Sequence, residues 1–467
     1  MAERFSPRLP THPYPPPYAF PSTSSSRLDA AQSPLGPGAV VLLTGSTGAL
    51  GSYLLSSLAE NPDVSRVYAL NRGSDRSSLL ERQRSTLDCR GLDCSILGEG
   101  KVVLLEADVS VEGFCLDEGV YKEMHETVTH IIHNGACLIA WLAAWPVNFN
   151  YTLDGFESSI RGHQHLIEFA LSSPLPLPPR FVFTSAIGVL QNVRSKSPIL
   201  ERRVEAETAV GAGYVESKWV AEEMLHDAAS RCDAFDALVV RIGQLCGSRR
   251  AIRGVWNERE WIPAMVQSAP AVGCLPTDDK VGRETAIVCQ EAYICEQTVA
   301  WIPIDDGSEI LADLTLSAPV PHTTETPVRT VHLIHADPAP WSSIAPALSD
   351  ELALPLVPYE QWLAALESLS ARCKATSSEA TSFGSLEMAT LPGAEKHARL
   401  RALRLLPFYQ GLAGWGGGDA MGFPTLDCSE LRRLSPRVGG DGKGIPRLQD
   451  ADARGWMGYW RSIGLFD

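Results

Sequence analysis

The stretch GAVVLLTGSTGALGSYLLSSLAE, residues 38–60, restricts the fold more than any other part of this 467-residue chain. Residues 39–43 are continuously apolar, the pattern of a short strand buried on both faces rather than one that alternates between core and water. Gly45, Gly48 and Gly51 follow as GxxGxxG, and an apolar pattern of helical period follows them. Small residues are needed in such a turn if the backbone is to approach a pyrophosphate, and the helix N-terminus then offers N–H groups and a favourable dipole. A glycine triplet alone occurs in many α/β proteins. The order strand, turn, helix makes it a dinucleotide-binding candidate, with Gly45, Thr47, Gly48 and Gly51 as the cofactor-contacting residues.

Further buried-strand runs are expected at residues 65–72, 101–108, 129–134, 180–186 and 237–243, with helical patterns between several of them. That alternation predicts an α/β fold with a Rossmann-type doubly wound parallel sheet. Beyond about residue 310 the pattern becomes mixed helix and loop punctuated by tryptophan, so residues 311–467 are expected to form a smaller C-terminal substrate subdomain, anchored by Trp362, Trp456 and Trp460. The cofactor-binding core is then 38–310. Residues 1–37, rich in proline and serine, read as a disordered leader or linker.

The formal net charge of −15 argues against a general nucleic-acid binder. No apolar run is long enough to span a bilayer, and the first residues have no signal-peptide pattern. The eleven cysteines lack paired metal-ligand spacing, which suggests reduced thiols in a cytoplasmic protein without a bound metal. His163 and His165, two apart on a predicted helix, face different ways and suit packing or surface roles.

The end of the second strand discriminates between cofactors, because a carboxylate there suits a ribose hydroxyl and an arginine suits a 2′-phosphate. The sequence reads LNRGSDR, with Arg72 at the tip, so NADP(H) is expected. Asp108, at the end of the third strand, is a candidate for the adenine and Asn134, at the end of the fourth, for the cofactor groove. Asp108 and Asn134 are equally typical loop residues, and the lesser alternative for Arg72 is a solvent-facing loop charge. Farther on, GYVESKWVAEEML (213–225) places Tyr214 and Lys218 four residues apart on one helix face. An ammonium beside a phenol stabilises its anion and prepares it to handle protons. Taken alone, the pair also suits a solvated helix surface.

Together, GxxGxxG, a strand-end arginine, a hydroxyl-bearing strand end and YxxxK resemble the extended short-chain dehydrogenase/reductases. The strings AWPVNFN, FESSIRGHQHLIEFAL, GYVESKWVAEEML, RIGQLCGS, GVWNEREWIPAM, GCLPTD and WIPID narrow the likeness. They are similar to the terminal thioester reductase domain of fungal nonribosomal-peptide-synthetase-like enzymes, whose relatives include α-aminoadipate reductase and the carboxylic acid reductases. The resemblance implies NADPH-dependent reduction, in secondary metabolism, of an acyl thioester on a phosphopantetheine arm to an aldehyde, and in some relatives an alcohol. The implied partners are an acyl- or peptidyl-carrier domain or an acyl-CoA, with no nucleic acid and no membrane. Tyr214 would meet the developing oxyanion, and Lys218 would tune it and bind the nicotinamide ribose. Arg249, Arg250 and Arg253 form a basic patch at the implied substrate entrance, for a carrier or equally as a solvated loop. Trp256 and Asn257 would line the substrate tunnel, and Gln244 would border the cofactor.

Three departures stand out. Ala186 occupies the position where the family carries a serine or threonine that holds the substrate carbonyl. Thr184 shares the face of residue 186, and Ser185 could serve as the third catalytic residue only if the strand end kinks or the alignment is shifted by one residue. The segments GACLIAWLA (135–143) and VGRETAIVCQEAYICEQ (281–297) interrupt motifs that are otherwise continuous. The second reads as a translated retained intron or a surface loop, and cDNA lacking the codons for Val281 to Gln297 would be expected from the first of these. A redox-inactive release or cyclisation domain, and a non-catalytic NADP-binding protein, are the alternatives that Ala186 keeps open.

Overall fold

The computed structural model describes residues 1–8, 38–134, 151–195, 197–250, 256–277, 298–318, 327–382 (side chains to 374), 400–413, 425–439 and 444–466, with backbone pairs at 136–137 and 145–146. Residues 9–37, Arg253, the segment 281–297 and, apart from the backbone pair 136–137, the segment 135–143 lie outside the residues so described.

Seven parallel strands form the main sheet: β1 (Ala39–Thr44), β2 (Val64–Asn71), β3 (Val102–Glu106), β4 (His130–His133), β5 (Arg180–Ala186), β6 (Ala237–Ile242) and β7 (Val328–Leu333). Their spatial order is β7-β6-β5-β4-β1-β2-β3. Leu43 pairs with both Ala69 and Ile132, so the strand order reverses around β1. In such sheets ligands bind where the order reverses, outside the C-terminal ends of the strands. All six residues of β1 are buried, as the unbroken apolar run predicts.

Alternate side chains of each strand enter two different cores. Val40, Leu42, Phe181, Phe183 and Val239 meet α4 (Glu157–Leu171) and α5 (Gly213–Arg231). Ala39, Val41, Leu43, Val182 and Val240 meet α1 (Ala49–Glu60) and α7 (Ile304–Leu316). Helices α2 (Leu79–Asp88) and α3 (Glu118–Thr127) complete the windings beside β2 and β3. A third core holds Trp256, Trp301, Trp341, Trp362, Trp456 and Trp460 together with Ile262 and Met265 of α6 (Trp261–Val272). The Trp256 and Trp456 rings meet edge to face with centroids 4.8 Å apart. Trp362 and Trp460 are fully buried, in keeping with the anchoring role read from the sequence. The C-terminal helices include α8 (Ala345–Leu352), α9 (Tyr359–Ser382), α10 (Leu406–Ala413), α11 (Ser429–Leu434) and α12 (Asp450–Ser462).

Two boundaries differ from expectation. The limit at 310 falls inside α7, and the sheet's edge strand β7 comes 18 residues later, because its alternation is masked by polar positions in VRTVHL. Residues 1–8 are not a loose leader: Phe5 is 5 % exposed in the α4/α5 core, Arg4 pairs with Glu157, and Ser6 donates to Asp227.

Candidate active site

The glycine turn is built by close approach. Gly45 has φ +73°, and a Cβ there would overlap the carbonyl of Asn134, while one on Gly51 would overlap the carbonyl of Gly45. Only glycine lets the ends of β1 and β4 and the first turn of α1 meet this closely. Gly48 is the N-cap of α1, with no side-chain cap and no acid in the first turn, which leaves the positive helix end open to an anion.

Two residues not singled out in the sequence hold the turn from beneath. Asn71 Oδ1 accepts from the Thr47 N–H at 3.3 Å and from its hydroxyl at 3.2 Å, and Asn71 Nδ2 donates to Ser46 Oγ at 2.7 Å. Ser46 Oγ donates to Gln83 Oε1 of α2 at 2.7 Å. Thr47 is therefore turned towards β2, where its hydroxyl and N–H help to shape the turn. The asparagine just before the strand-end arginine was the available signal for this support.

A cleft at the ends of β1, β2 and β3 is lined by Thr44, Gly45, Leu70, Asn71, Arg72, Ala107 and Val109. Arg72 is half-buried, and its carbonyl accepts from Arg82 at 2.7 Å. Asp108 adjoins the cleft, where its Oδ1 accepts from the Ser110 N–H at 3.0 Å and hydroxyl at 2.7 Å. Burial acts to raise the Asp108 pKa, but the Ser110 hydrogen bonds and the charge of Arg72 outweigh it and hold the carboxyl below its usual range. The glycine cradle, the uncapped helix end and the adjoining cleft together fit a dinucleotide cofactor.

The tyrosine and lysine lie on α5. Gly213 opens that helix because a Cβ would strike the backbone of residues 151–153, which lets the Tyr214 turn dock there. Lys218 is fully buried, its Nζ donating to the Thr184 carbonyl at 2.9 Å and lying 5.9 Å from the centre of the Tyr214 ring. The Thr184 hydroxyl donates to the His133 carbonyl at 3.2 Å and to Asn134 Oδ1 at 3.4 Å. Asn134 in turn lies against Gly45. An unbroken line of contacts, Lys218–Thr184–Asn134–Gly45, thus connects the YxxxK helix with the glycine turn across the reversal point. Asn134 is 2 % exposed and supports the turn from inside.

Electrostatics at this end differ from the simple picture of a lysine lowering a tyrosine's pKa. Burial pushes the Tyr214 phenol above its ordinary value. Burial also lowers the Lys218 amine to about 7, with the charge of Glu222 opposing it. His163 is lowered to about 3 and His133 well below its usual range, burial being the main cause for both. His163 packs against Phe183 and shares a hydrogen bond with the Ala221 carbonyl, whereas His165 meets the Val109 carbonyl.

Ser185 does not join Tyr214. Strand β5 stays regular through Ala186, so alternation sends the Ser185 hydroxyl into the α5 core, where it donates to Glu222 Oε1 at 2.6 Å. Glu222 and Arg241 form an ion pair at 2.7 Å with side chains 3 % and 0 % exposed. The strand end does not kink, so that condition for Ser185 to serve as the third catalytic residue is not met.

The two described arginines of the basic patch are likewise engaged. Arg249 donates to both carboxylate oxygens of Asp452 at 2.8 and 3.0 Å and to the carbonyls of Pro446 and Arg447. Arg250 bonds Asp305, Asp306 and Glu309. These arginines fasten the loop after β6 to α7 and the C-terminal helices. Trp256 is 3 % exposed in the tryptophan core, with its indole N–H on Glu260 at 3.0 Å, so it packs instead of lining a tunnel. Asn257 is half-buried and accepts from the Arg259 N–H. Gln244 donates to Glu260 at 2.7 Å and accepts from Trp261 at 2.9 Å.

Comparison with known proteins agrees with this architecture. The chain is 36 % identical over 434 residues to the adenylate-forming reductase Nps10 of Heterobasidion annosum, covering 91 % of this chain and 35 % of that protein. It is 31 % identical to the adenylate-forming reductase Nps9 of Serpula lacrymans, covering 95 % of this chain and 37 % of that one. It therefore spans about a third of the length of these relatives. Among solved structures, the terminal R domain from the myxalamid PKS-NRPS biosynthetic pathway superposes with a TM-score of 0.65 at 20 % identity, covering 92 % of both chains. The R domain of a nonribosomal peptide synthetase from Mycobacterium tuberculosis gives 0.65 at 20 % identity, covering 96 % of this chain and 97 % of that one. Both share the fold. The family model described as male sterility protein, an NAD-binding family, matches residues 43–297. With more than half of its length matched, and with the glycine cradle inside the matched region, the chain belongs to that NAD-binding family.

Proposed function

We propose that this chain reduces an acyl thioester, held on the phosphopantetheine arm of an acyl- or peptidyl-carrier domain or on coenzyme A, to an aldehyde, and where a second reduction follows to an alcohol. The reductant is NADP(H), bound along Gly45, Gly48 and Gly51 with Arg72 at its 2′-phosphate; when bound, it supplies the hydride. The observation that carries this reading is the contact line from Lys218 through Thr184 and Asn134 to Gly45, which keeps the YxxxK helix beside the cofactor turn. The names of the relatives, adenylate-forming reductases and, at 30 % identity, a carboxylic acid reductase of Neurospora crassa, support it.

Tyr214 holds its proton firmly in its buried setting and donates a hydrogen bond, then the proton, to the oxygen of the thioester carbonyl as negative charge develops there. Lys218, fixed by the Thr184 carbonyl, has its amine near the phenol ring and would hold the ribose of a bound cofactor. Collapse of the resulting hemithioacetal releases the aldehyde and the free thiol. The proposed experiment measures NADPH consumption against a panel of acyl-pantetheine and acyl-CoA thioesters, with Tyr214→Phe as control. Thioester-dependent oxidation that the control loses supports the reading.

Ala186, with Ser185 turned onto Glu222, favours a second reading: a release or cyclisation domain without redox chemistry, or an NADP-binding protein without turnover. Cyclised product without NADPH use distinguishes the former. Cofactor binding with neither activity distinguishes the latter.

A further inference from the structure

Tyr214 stands in the first turn of α5, where a helix is held least by its own bonds, because the opening N–H groups have no partner within the helix. The N-cap here is Ala212, whose side chain cannot accept from them. The turn is held from outside. Gly213 seats it on the backbone of residues 151–153, and Glu216 Oε1 reaches back to accept from the Gly211 N–H at 2.9 Å. A further hold comes from two neighbouring amides, Gln191 and Asn192, on the segment that runs on from Ala186 at the end of β5. Gln191 Nε2 donates to the carbonyls of Ala209 at 2.9 Å and Val210 at 3.0 Å. Asn192 Nδ2 donates to those of Glu207 at 3.1 Å and Val210 at 2.7 Å, and the Asn192 N–H to that of Thr208 at 3.0 Å.

We infer that Gln191 and Asn192 are positioning residues, whose amide groups set the entry turn of α5 and with it the place of the Tyr214 phenol relative to the end of β5. The carbonyls of four successive residues, 207–210, accept from this pair, so the loop before the helix is tied to the segment after the strand. The same segment also packs directly on the turn: a Cβ on Gly188 would come within 2.9 Å of Val215 Cγ2, one residue beyond Tyr214. An amide suits this task because its NH2 group carries two donors and no charge, and here each NH2 meets two carbonyls. A carboxylate of the same shape would turn acceptors onto acceptors. Asn192 is exposed and Gln191 half-buried, so water can replace these bonds and overall stability depends little on them. Placement is less forgiving, since a shift of about 1 Å in a reacting group costs roughly a hundredfold in rate. The effect on turnover rests on the reductase reading, whereas the effect on the placement of Tyr214 does not.

The test follows the phenol directly, by NMR of protein labelled with 13C at tyrosine Cζ, the Tyr214 signal being assigned by its loss in Tyr214→Phe. The variant Gln191→Leu/Asn192→Leu removes both NH2 groups, and Asn192→Asp alone, at an exposed position, replaces donors by acceptors at constant shape. In both, the Tyr214 signal is expected to shift or split as the ring takes up another placement, while Tm and KM for NADPH stay close to those of the unsubstituted protein. Where thioester turnover is present, kcat is expected to fall by at least about tenfold. A role in folding alone would lower Tm and leave both the tyrosine signal and the kcat of the folded protein unchanged, and that result overturns the inference. Unchanged kcat in a variant whose Tyr214 signal has moved overturns it as well. If no form of the protein reduces a thioester, the reductase reading fails while the tyrosine signal still decides this inference.

Discussion

Replacing Ser185 with alanine separates two roles for one hydroxyl. The bond it would lose is 2.6 Å long and ends on a carboxylate with a side chain 3 % exposed. A hydrogen bond to a buried charged group contributes about 1.5–3 kcal/mol. Arg241 continues to hold Glu222 from two of its nitrogens, so the carboxylate is not orphaned and the expected loss is at the lower end, roughly 1.5–2 kcal/mol. An oxyanion donor, by contrast, would cost roughly a hundred- to a thousandfold in kcat with little effect on stability. Urea unfolding and NADPH oxidation on the same preparation read both quantities. The structure predicts a lower unfolding midpoint with kcat changed by less than about tenfold, which is 1.4 kcal/mol in the barrier. A hundredfold loss of kcat at unchanged stability would refute the assignment of Ser185 to the Glu222 network.

Three other outcomes are expected. Ala186→Ser restores a hydroxyl at the family's position and should raise kcat with acyl thioesters by about tenfold or more, measured at saturating NADPH; an unchanged rate would show that no such donor is missing. Lys218→Met should abolish turnover yet raise Tm at pH 7. An amine with a folded pKa depressed to about 7 binds fewer protons than in the unfolded chain between there and 10.5, so native stability rises with pH across that window and the stabilisation by methionine should shrink by pH 10. Arg249→Ala removes the bidentate contact with Asp452 and should lower stability by about 1.5–3 kcal/mol without altering KM for the thioester; a raised KM with unchanged Tm would restore the carrier-docking role.

Six of the seven strands were legible because each is an apolar run short enough to be a strand and bounded by turn residues. The seventh was not: Arg329, Thr330 and His332 break the pattern, and the strand is satisfied through Glu201, which accepts from the His332 N–H at 2.9 Å, a contact between residues 131 apart in the sequence. The glycine turn was readable for the reason that makes it glycine, the close approach of Asn134 and Gly45. The turn-supporting role of Asn71 and the linking role of Thr184 were missed because both are made by partners on other elements, invisible in a linear string. The ion pairs of Arg249 and Arg250 were hidden for a similar reason: charge can be counted along the chain, but its pairing with Asp452, Asp305 and Glu309 depends on tertiary placement. Ser185 illustrates the reverse case: simple alternation along a regular strand put it on the face opposite residue 186, and the structure keeps it there, on Glu222.

The central claim is that the phenol and amine on α5 act on a thioester beside a cofactor held by the glycine turn. Its most direct measurement is NADPH oxidation by the purified chain with an acyl-pantetheine thioester, alongside Tyr214→Phe. The account predicts thioester-dependent oxidation, aldehyde and free thiol in equal amounts, and loss of both in the variant. Tight NADPH binding with no oxidation on any thioester, or turnover undiminished by Tyr214→Phe, would contradict it.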